Sequence, residues 1–253
     1  MGGYNLMSQF GFFFDQSRCV GCHTCAAACK IWNNLPPGPL KYLKVYEYEK
    51  GSFPELRIHW QWVTCYHCQE PACVGSCPTG AIYKENKYGA VLIDNEKCDG
   101  CRLCWDSCPY GAPSFESDEL GVKAHKCDMC IDRLELGNKP ICVMSCPMRA
   151  LDFGRLETLI ERYGDRRDIE DMPSSQATRP AVIFKPHAEK RHLVNYEKEK
   201  ALSLLMGREH APPVFTSTTD VTHIPKRMVG RDQLVIKPGS ADDLMRYTRS
   251  DEG

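Results

Sequence analysis

Residues 98–109 read CDGCRLCWDSCP: three cysteines stand in C-x₂-C-x₂-C spacing, and a fourth follows after three more residues and precedes a proline. Three further groups of four cysteines make this a fourfold internal repeat of a ligand pattern. The sixteen cysteines are Cys19, Cys22, Cys25 and Cys29; Cys65, Cys68, Cys73 and Cys77; Cys98, Cys101, Cys104 and Cys108; and Cys127, Cys130, Cys142 and Cys146. The last 107 residues contain none.

The third group has the spacing that holds iron–sulfur clusters in bacterial ferredoxins. Its first three cysteines wrap a tight loop round three irons of a cubane, and the fourth is left for a neighbouring cluster. The second group, CYHCQEPACVGSCP (65–78), has two extra residues before its third cysteine. Because only 20 residues separate Cys77 from Cys98, groups two and three predict one complete two-cluster unit.

By exclusion, the first group pairs with the last, which carries an eleven-residue insertion, IDRLELGNKPI, between Cys130 and Cys142. Four ligand sets follow: Cys65, Cys68, Cys73 and Cys108; Cys98, Cys101, Cys104 and Cys77; Cys19, Cys22, Cys25 and Cys146; and Cys127, Cys130, Cys142 and Cys29. No position is substituted, so we predict four [4Fe–4S] clusters.

Two other uses of cysteine fit the pattern less well. Tetrahedral zinc sites also use C-x₂-C, but they typically join two separate pairs and do not need three evenly spaced cysteines plus a distant fourth. Cysteines repeated at such short, regular spacing also make poor disulfides. A zinc-stabilised interaction protein stays the alternative from another class, and the absence of visible absorption would identify it.

Composition narrows the remaining classes. With 32 Lys+Arg against 33 Asp+Glu, the chain has no nucleic-acid or polybasic-membrane signal. It has no G-x-G-x-x-G, Walker, G-x-S-x-G or H-E-x-x-H motif, so we expect no nucleotide and no catalytic residue. No apolar run approaches the roughly 18–20 residues that span a bilayer, and the N-terminus lacks the features of an export signal.

The side chains near the cysteines are expected to play supporting parts. We interpret the histidines as outer-shell or surface residues. The basic residues are expected by default to be solvated at the surface, and the alternative is that they raise the cluster potentials by offsetting the anionic clusters. The large apolar side chains are expected to shield the clusters from water. These residues are His23, His67 and His125; Lys97, Arg102 and Lys126; and Phe12 to Phe14, Trp105, Met144 and Met148.

Short strands are predicted beside the cysteine groups. FGFFF (10–14) predicts a strand, 45–49 and 55–63 a hairpin, and 81–95 a second hairpin turning at 86–89. A less clear hairpin turns near Gly121. ALDFG (150–154) predicts a closing strand, 155–164 a helix ended by Gly164, and 195–207 a helix capped by Asn195.

The complete pattern resembles the four-cluster iron–sulfur subunit of molybdopterin oxidoreductases, closest to that of dimethyl sulfoxide reductase. The likeness rests on FGFFFDQSRCVGCHTCAAACK, NEKCDGCRLCWDSCPYGAP and KCDMCIDRLELGNKPICVMSCPMRALDFG, and it covers about residues 10–186. Some relatives have tryptophan at one cysteine of the third group and a [3Fe–4S] cluster. Cys101 occupies that position here, so the resemblance implies a cubane.

The resemblance also implies partners. Such a subunit lies between a catalytic subunit, which holds a molybdenum or tungsten bis-pterin cofactor, and a membrane anchor that exchanges electrons with quinol. It is membrane-associated through these partners. Its position is extracytoplasmic if the catalytic subunit is exported and cytoplasmic otherwise.

We therefore expect an α+β fold of two nested ferredoxin-like modules with an extended C-terminal tail. Residues 1–64 and 109–186 form the outer module, 65–108 the inner module, and 187–253 an extension that wraps the partner. The expected function is single-electron relay within an oxidoreductase complex. Alternatives are a ferredoxin-like subunit of a hydrogenase or formate dehydrogenase complex and a diffusible polyferredoxin.

Overall fold

The computed structural model describes residues 8–51 and 57–187, which contain seven short strands and six short helices. The strands are β1 Phe10–Asp15, β2 Leu43–Lys50, β3 Arg57–Thr64, β4 Ile82–Lys84, β5 Val91–Ile93, β6 Leu151–Arg155 and β7 Val182–Lys185. The helices are α1 Thr24–Trp32, α2 Ala72–Gly75, α3 Leu103–Asp106, α4 Ile131–Glu135, α5 Ile141–Met144 and α6 Leu156–Tyr163. The expected mixture of short strands and helices is confirmed.

A three-stranded sheet in the order β6-β1-β7 joins distant parts of the sequence. β1 runs antiparallel to β6, with Phe12 opposite Phe153, and parallel to β7, with Phe12 opposite Val182. Because β1 is the central strand and both its faces are covered, its sequence is a continuous apolar run and does not alternate with polar residues. β7 was not anticipated from the sequence, although VIFK has the same character.

The two faces of β1 contact different layers. Phe12 and Phe14 pack on Trp62 of β3 in the main core, whereas Phe13 stacks on Tyr163 of α6 with ring centroids 3.7 Å apart. α6 buries Leu156 and Leu159 against the same face. It ends before Gly164, as predicted, and Gly164 has a positive φ of 85°.

Two hairpins complete the strands. β2 pairs with β3, with Val45 opposite Trp62, and β4 pairs with β5, with Ile82 opposite Ile93. Both hairpins are therefore confirmed. The third one, around Gly121, is reduced to a single bridge between Ser114 and His125.

The expected insertion between Cys130 and Cys142 forms α4 and a loop. Across 8–51 and 57–187, no helix combines the length and the apolar character needed to cross a membrane. The predicted helix at 195–207 and nearly all of the predicted tail lie outside the described residues.

Candidate metal centres

Four of the helices carry pairs of cysteines spaced four residues apart. The pairs, on the helix or just beyond its end, are Cys25 and Cys29 at α1, Cys73 and Cys77 at α2, Cys104 and Cys108 at α3, and Cys142 and Cys146 at α5. Residues at this spacing lie on one side of a helix. α1 contacts α5, and α2 contacts α3. Between α2 and α3, the hydroxyl oxygens of Ser76 and Ser107 are hydrogen-bonded at 2.8 Å.

The electrostatic influence of one thiol on another shows which cysteines are neighbours, because nearby like charges raise a thiol pKa. We name four sites by these neighbours. Site I is Cys19, Cys22, Cys25 and Cys146; site II is Cys29, Cys127, Cys130 and Cys142; site III is Cys65, Cys68, Cys73 and Cys108; site IV is Cys77, Cys98, Cys101 and Cys104. In each site, thiols from sequence groups far apart act on one another.

Electrostatic contacts between thiols of different sites connect the sites into an order. Cys142 of site II is acted on by Cys25 of site I. Cys127 of site II is acted on by Cys65 of site III. Cys73 of site III is acted on by Cys104 of site IV. The sites therefore follow one another in the order I, II, III, IV. The contact between α1 and α5 connects sites I and II, and the contact between α2 and α3 connects sites III and IV.

Burial suppresses ionisation of most of these thiols. It raises the pKa to about 12 for Cys25, Cys29, Cys68 and Cys73, and to about 11 for Cys104 and Cys130. A metal-bound thiol is deprotonated, so binding of iron must release these protons. Within the described residues, no three His, Cys, Asp or Glu side chains gather around a position for one metal ion; in an iron–sulfur cubane the four cysteines bind separate irons.

Several sulfurs accept hydrogen bonds from the surrounding chain. The Ala150 N–H donates to Cys146 Sγ at 3.3 Å, the Met129 N–H to Cys127 Sγ at 3.3 Å, and the Ala124 N–H to Cys98 Sγ at 3.4 Å. Side chains contribute as well, since Thr24 Oγ1 donates to Cys22 Sγ at 3.4 Å. This bond lowers the pKa of Cys22. Such donors favour thiolate character and are one determinant of cluster potential.

Charged groups are distributed unevenly over the inner sites. Asp128 raises the pKa of Cys29, Cys127 and Cys130 in site II, adding to the larger effect of burial. Site III is instead approached by Lys84 and Lys126. The expectation of a solvated lysine is wrong for Lys126, which is only 5% exposed. It holds for Lys97, which forms an exposed ion pair with Asp94.

The interpretation of the histidines differs from one to the next. His23 is exposed, whereas His67, between Cys65 and Cys68, is completely buried. The Val91 N–H donates to His67 Nδ1 at 2.9 Å. Burial, together with the charges of Lys126 and Lys84, lowers the pKa of His67 well below its usual value. The neutral ring therefore carries its proton on Nε2, which has no hydrogen-bond partner among the described residues.

Some of the apolar side chains near the cysteines are buried, and others are exposed. Phe12 and Phe14 are buried as expected. Trp105, Met144 and Met148 are 52%, 51% and 41% exposed, so the expectation that they cover the sites is wrong for this chain by itself. Trp105 adjoins Cys104 of site IV, and Met148 follows Cys146 of site I by two residues.

Comparisons with known proteins identify the family of the chain. Residues 58–156 match the model of the 4Fe-4S dicluster domain. The chain is 41% identical over 196 residues to a polypeptide of the anaerobic dimethyl sulfoxide reductase of Escherichia coli K12, covering 74% of this chain and 93% of that one. The chain belongs to this family of iron–sulfur electron-transfer subunits.

Other relatives extend the family to different reactions. A subunit of the sulfite dehydrogenase of Allochromatium vinosum is 36% identical over 217 residues, with 76% of this chain and 89% of the relative covered. The thiosulfate reductase electron transfer subunit of Salmonella typhi is 36% identical over 168 residues, with 65% and 86% covered. The dicluster match contains twelve of the sixteen cysteines and leaves out the first group.

Two local features of this family member were not anticipated. The residue before the second cysteine of each of the four groups is left-handed: Gly21, His67, Gly100 and Met129 have φ of 66°, 46°, 76° and 65°. A left-handed backbone costs a residue with a side chain roughly 1–2 kcal/mol. At His67 and Met129, contacts in the rest of the site must offset this cost. The glycines in the first and third groups were the available sequence signal.

The second feature follows the last cysteine of three groups, in CPTGA (77–81), CPYGA (108–112) and CPMRA (146–150). Gly80, Gly111 and Arg149 are left-handed, and each N–H donates to the carbonyl of the cysteine three residues earlier. The next N–H, from Ala112 or Ala150, reaches that cysteine's sulfur. The recurring alanine, buried each time, was the signal for this turn.

Proposed function

We propose that this chain binds four [4Fe–4S] clusters, one at each of sites I to IV, with the sixteen cysteines as ligands. Its function is then to relay single electrons between a catalytic subunit, carrying a molybdenum or tungsten bis-pterin cofactor, and a quinol-linked membrane subunit. When bound, a [4Fe–4S] cluster supplies one-electron transfer. The chain's own residues hold the clusters, separate them from water and adjust the charge around them.

The observation that carries this proposal is the pairing of cysteines on the helices. At each pair the two thiols, four residues apart, belong to different sites: Cys25 to site I and Cys29 to site II, for example. A single helical turn thus connects two neighbouring sites. The same division at α2, α3 and α5 supports a row of four sites and not four independent ones.

The residues around the sites suit an anionic cofactor. Backbone N–H groups of Met129, Ala150 and Ala124 donate to cysteine sulfurs. Lys84 donates to the Cys68 carbonyl of site III, and Lys126 donates to the Cys127 carbonyl of site II and acts on Cys73 of site III. Donors and cations of this kind compensate the negative charge that four thiolates would bring to a buried position.

The two terminal sites have features of docking points. Their exposed cysteines, Cys22 in site I and Cys101 in site IV, are the exposed ones among the sixteen. Leu103 and Trp105 are exposed beside Cys101, and Val20 is exposed beside Cys22. Apolar side chains around an accessible redox centre favour contact with a partner subunit. One partner would bind at each end of the row.

The division into modules is part of the proposal. The inner module, 65–108, would hold sites III and IV with the α2 and α3 pair, and the outer module, 1–64 and 109–186, sites I and II. Pairing of β1 with β6 and β7 supports an outer module built from both ends of this part of the chain. Residues 187–253 would extend over the partner. The complex would be held at the membrane through its anchor subunit.

Purification of the complex from native membranes without oxygen tests this function. We expect sixteen irons per copy of this chain in addition to those of the partner, stoichiometric molybdenum or tungsten on a large co-purifying chain, and a membrane protein in the complex. Iron alone, on a chain that elutes by itself, would refute the fixed partners and leave a diffusible ferredoxin. Bound zinc without visible absorption would refute the clusters as well.

Replacement of Cys101 by alanine tests the relay. The variant should lose or convert the cluster of site IV and stop quinol-linked turnover, while an artificial donor that reaches the catalytic subunit directly still supports its reaction. Normal quinol-linked turnover with the altered site IV would contradict the relay.

A further inference from the structure

Two lysines, one buried and one half-buried, act on the thiols of the third site. Lys126 is 5% exposed and donates from Nζ to the carbonyls of Val91 and of Cys127, the latter at 3.1 Å. Lys84 is half-buried and donates to the Cys68 carbonyl at 2.5 Å and to Gln9 Oε1 at 2.8 Å. Both ammonium groups are therefore held by backbone carbonyls, that of Cys68 in site III for Lys84 and those of Val91 and of Cys127 in site II for Lys126.

The charged groups that act on these lysines are thiols of site III. Cys68, Cys65 and Cys73 all act on Lys84, and Lys126 acts on Cys73. Among the ion pairs of the described residues, none includes Lys84 or Lys126. A buried cation is costly unless an anion compensates it. The thiolates of site III, together with the cofactor that they bind, supply the compensating negative charge.

Site II is approached mainly by carboxylates, since Asp128 and Asp132 act on Cys130 against the single cation Arg133. The carboxylate of Asp128 accepts a hydrogen bond from the Cys130 N–H at 2.8 Å and acts on three of the four thiols there. A fixed positive charge stabilises the more negative, reduced form of a nearby redox group, and a fixed negative charge disfavours it. The two inner sites are adjacent in the row, so this difference falls at its centre.

We infer that Lys84 and Lys126 are potential-tuning residues that make the cofactor of site III more easily reduced than that of site II. This inference rests on the proposed function, since it requires a cluster at each site. The reduction potential therefore does not change steadily from one end of the row to the other. At equilibrium, an electron occupies site III in preference to site II.

The test is a redox titration of the purified complex, followed by electron paramagnetic resonance. The signal of site III is first assigned as the component altered in Cys68→Ser. In Lys84→Met we expect the equilibrium constant for reduction of site III to fall about tenfold, which is about 59 mV for one electron. Lys126→Met should act in the same direction, and the charge-retaining Lys84→Arg should restore the original potential.

Lys87→Met is the matched control. Lys87 lies in the same hairpin as Lys84, but its side chain is 58% exposed and it pairs with Glu135. It should leave the site III potential unchanged. Asp128→Asn should make site II more easily reduced. The difference between the reduction potentials of sites II and III should then become smaller.

The outcomes distinguish failure of the proposed function from failure of the tuning by the two lysines. Fewer than sixteen irons in the wild-type chain, or no signal that responds to Cys68→Ser, would contradict the proposed function. A full complement of clusters with a site III potential that is the same in wild type, Lys84→Met and Lys126→Met would overturn the inference alone. If Lys126→Met does not assemble, the half-buried Lys84 still decides the question.

Discussion

Replacing Gly100 by alanine should damage site IV more than a left-handed glycine alone would explain. Gly100 lies between Cys98 and Cys101 with a φ of 76°. A Cβ built there would lie 2.4 Å from the carbonyl carbon and 2.7 Å from the Cα of Gly121. Because the obstacle is backbone, no side chain can rotate away, and one of the two loops must move.

The size of the effect has two parts. A left-handed alanine costs about 1–2 kcal/mol. Forcing an extra carbon into a packed position costs typically another 1–3 kcal/mol. Gly80 isolates the first part, since its φ is 64° and nothing lies within 4 Å of its Cβ position. The difference between Gly100→Ala and Gly80→Ala should therefore be about 1–3 kcal/mol, which corresponds to roughly 5- to 150-fold in a rate.

The assay is the rate at which visible absorption of the clusters is lost in a fixed concentration of denaturant without oxygen. A rate is preferred because unfolding with cofactor loss is not a two-state equilibrium. Gly80→Ala should lose the clusters slightly faster than wild type, and Gly100→Ala faster again by at least about fivefold. Equal rates in the two variants would refute the close approach of the loops at Gly100 and Gly121.

Two smaller changes test the hydrogen bonds. Thr24→Val keeps the side-chain shape but removes the donor to Cys22 Sγ. The equilibrium constant for reduction of site I should therefore fall about threefold, which lowers the site I potential by roughly 30 mV. An unchanged potential would argue against the bond. Burial raises the pKa of Asp152, but bonds from Lys139 and Tyr163 outweigh it and the pKa lies below its usual value. The stability this carboxylate contributes is lost only as the pH falls through its folded-state pKa. Asp152→Asn should therefore reduce the apparent Tm by about 2–4 °C, equally at pH 6 and pH 8; a loss that differed between them would contradict this reasoning.

Spacing and hydropathy were sufficient for most of the framework. The apolar run at 10–14 predicted β1 because a strand covered on both faces has to be apolar throughout. The polar turns at 86–89 and at Gly164 predicted the end of a strand and of a helix. β7 was missed because its partner, β1, lies some 170 residues earlier, and pairing over that separation leaves no local pattern beyond four apolar residues.

Burial of individual polar and apolar side chains could not be obtained in this way. Lys126 looks like an ordinary lysine in the sequence, and only the fold shows that Val91 and Cys127 close over its ammonium group. Trp105 has the large apolar side chain that is typical of a core residue, yet it lies at the surface beside site IV. Its exposure is consistent with the partner proposed there, because a side chain that is buried in a complex lies at the surface of the separate subunit.

The cysteine spacing predicts the distance between neighbouring sites as well as the identity of the ligands. A repeat of C-x₃-C at the end of each group places two thiols on one helical turn, and in the fold those two thiols lie in different sites. Cys25 and Cys29 therefore cannot be moved apart without separating sites I and II, and the same holds for Cys104 and Cys108 with sites IV and III. In a relay the distance between neighbouring sites limits transfer. In the proposed relay, the requirement for that short distance explains why the fourth cysteine of each group would bind the neighbouring cluster. Retention of a single cluster would be served equally well by four local ligands.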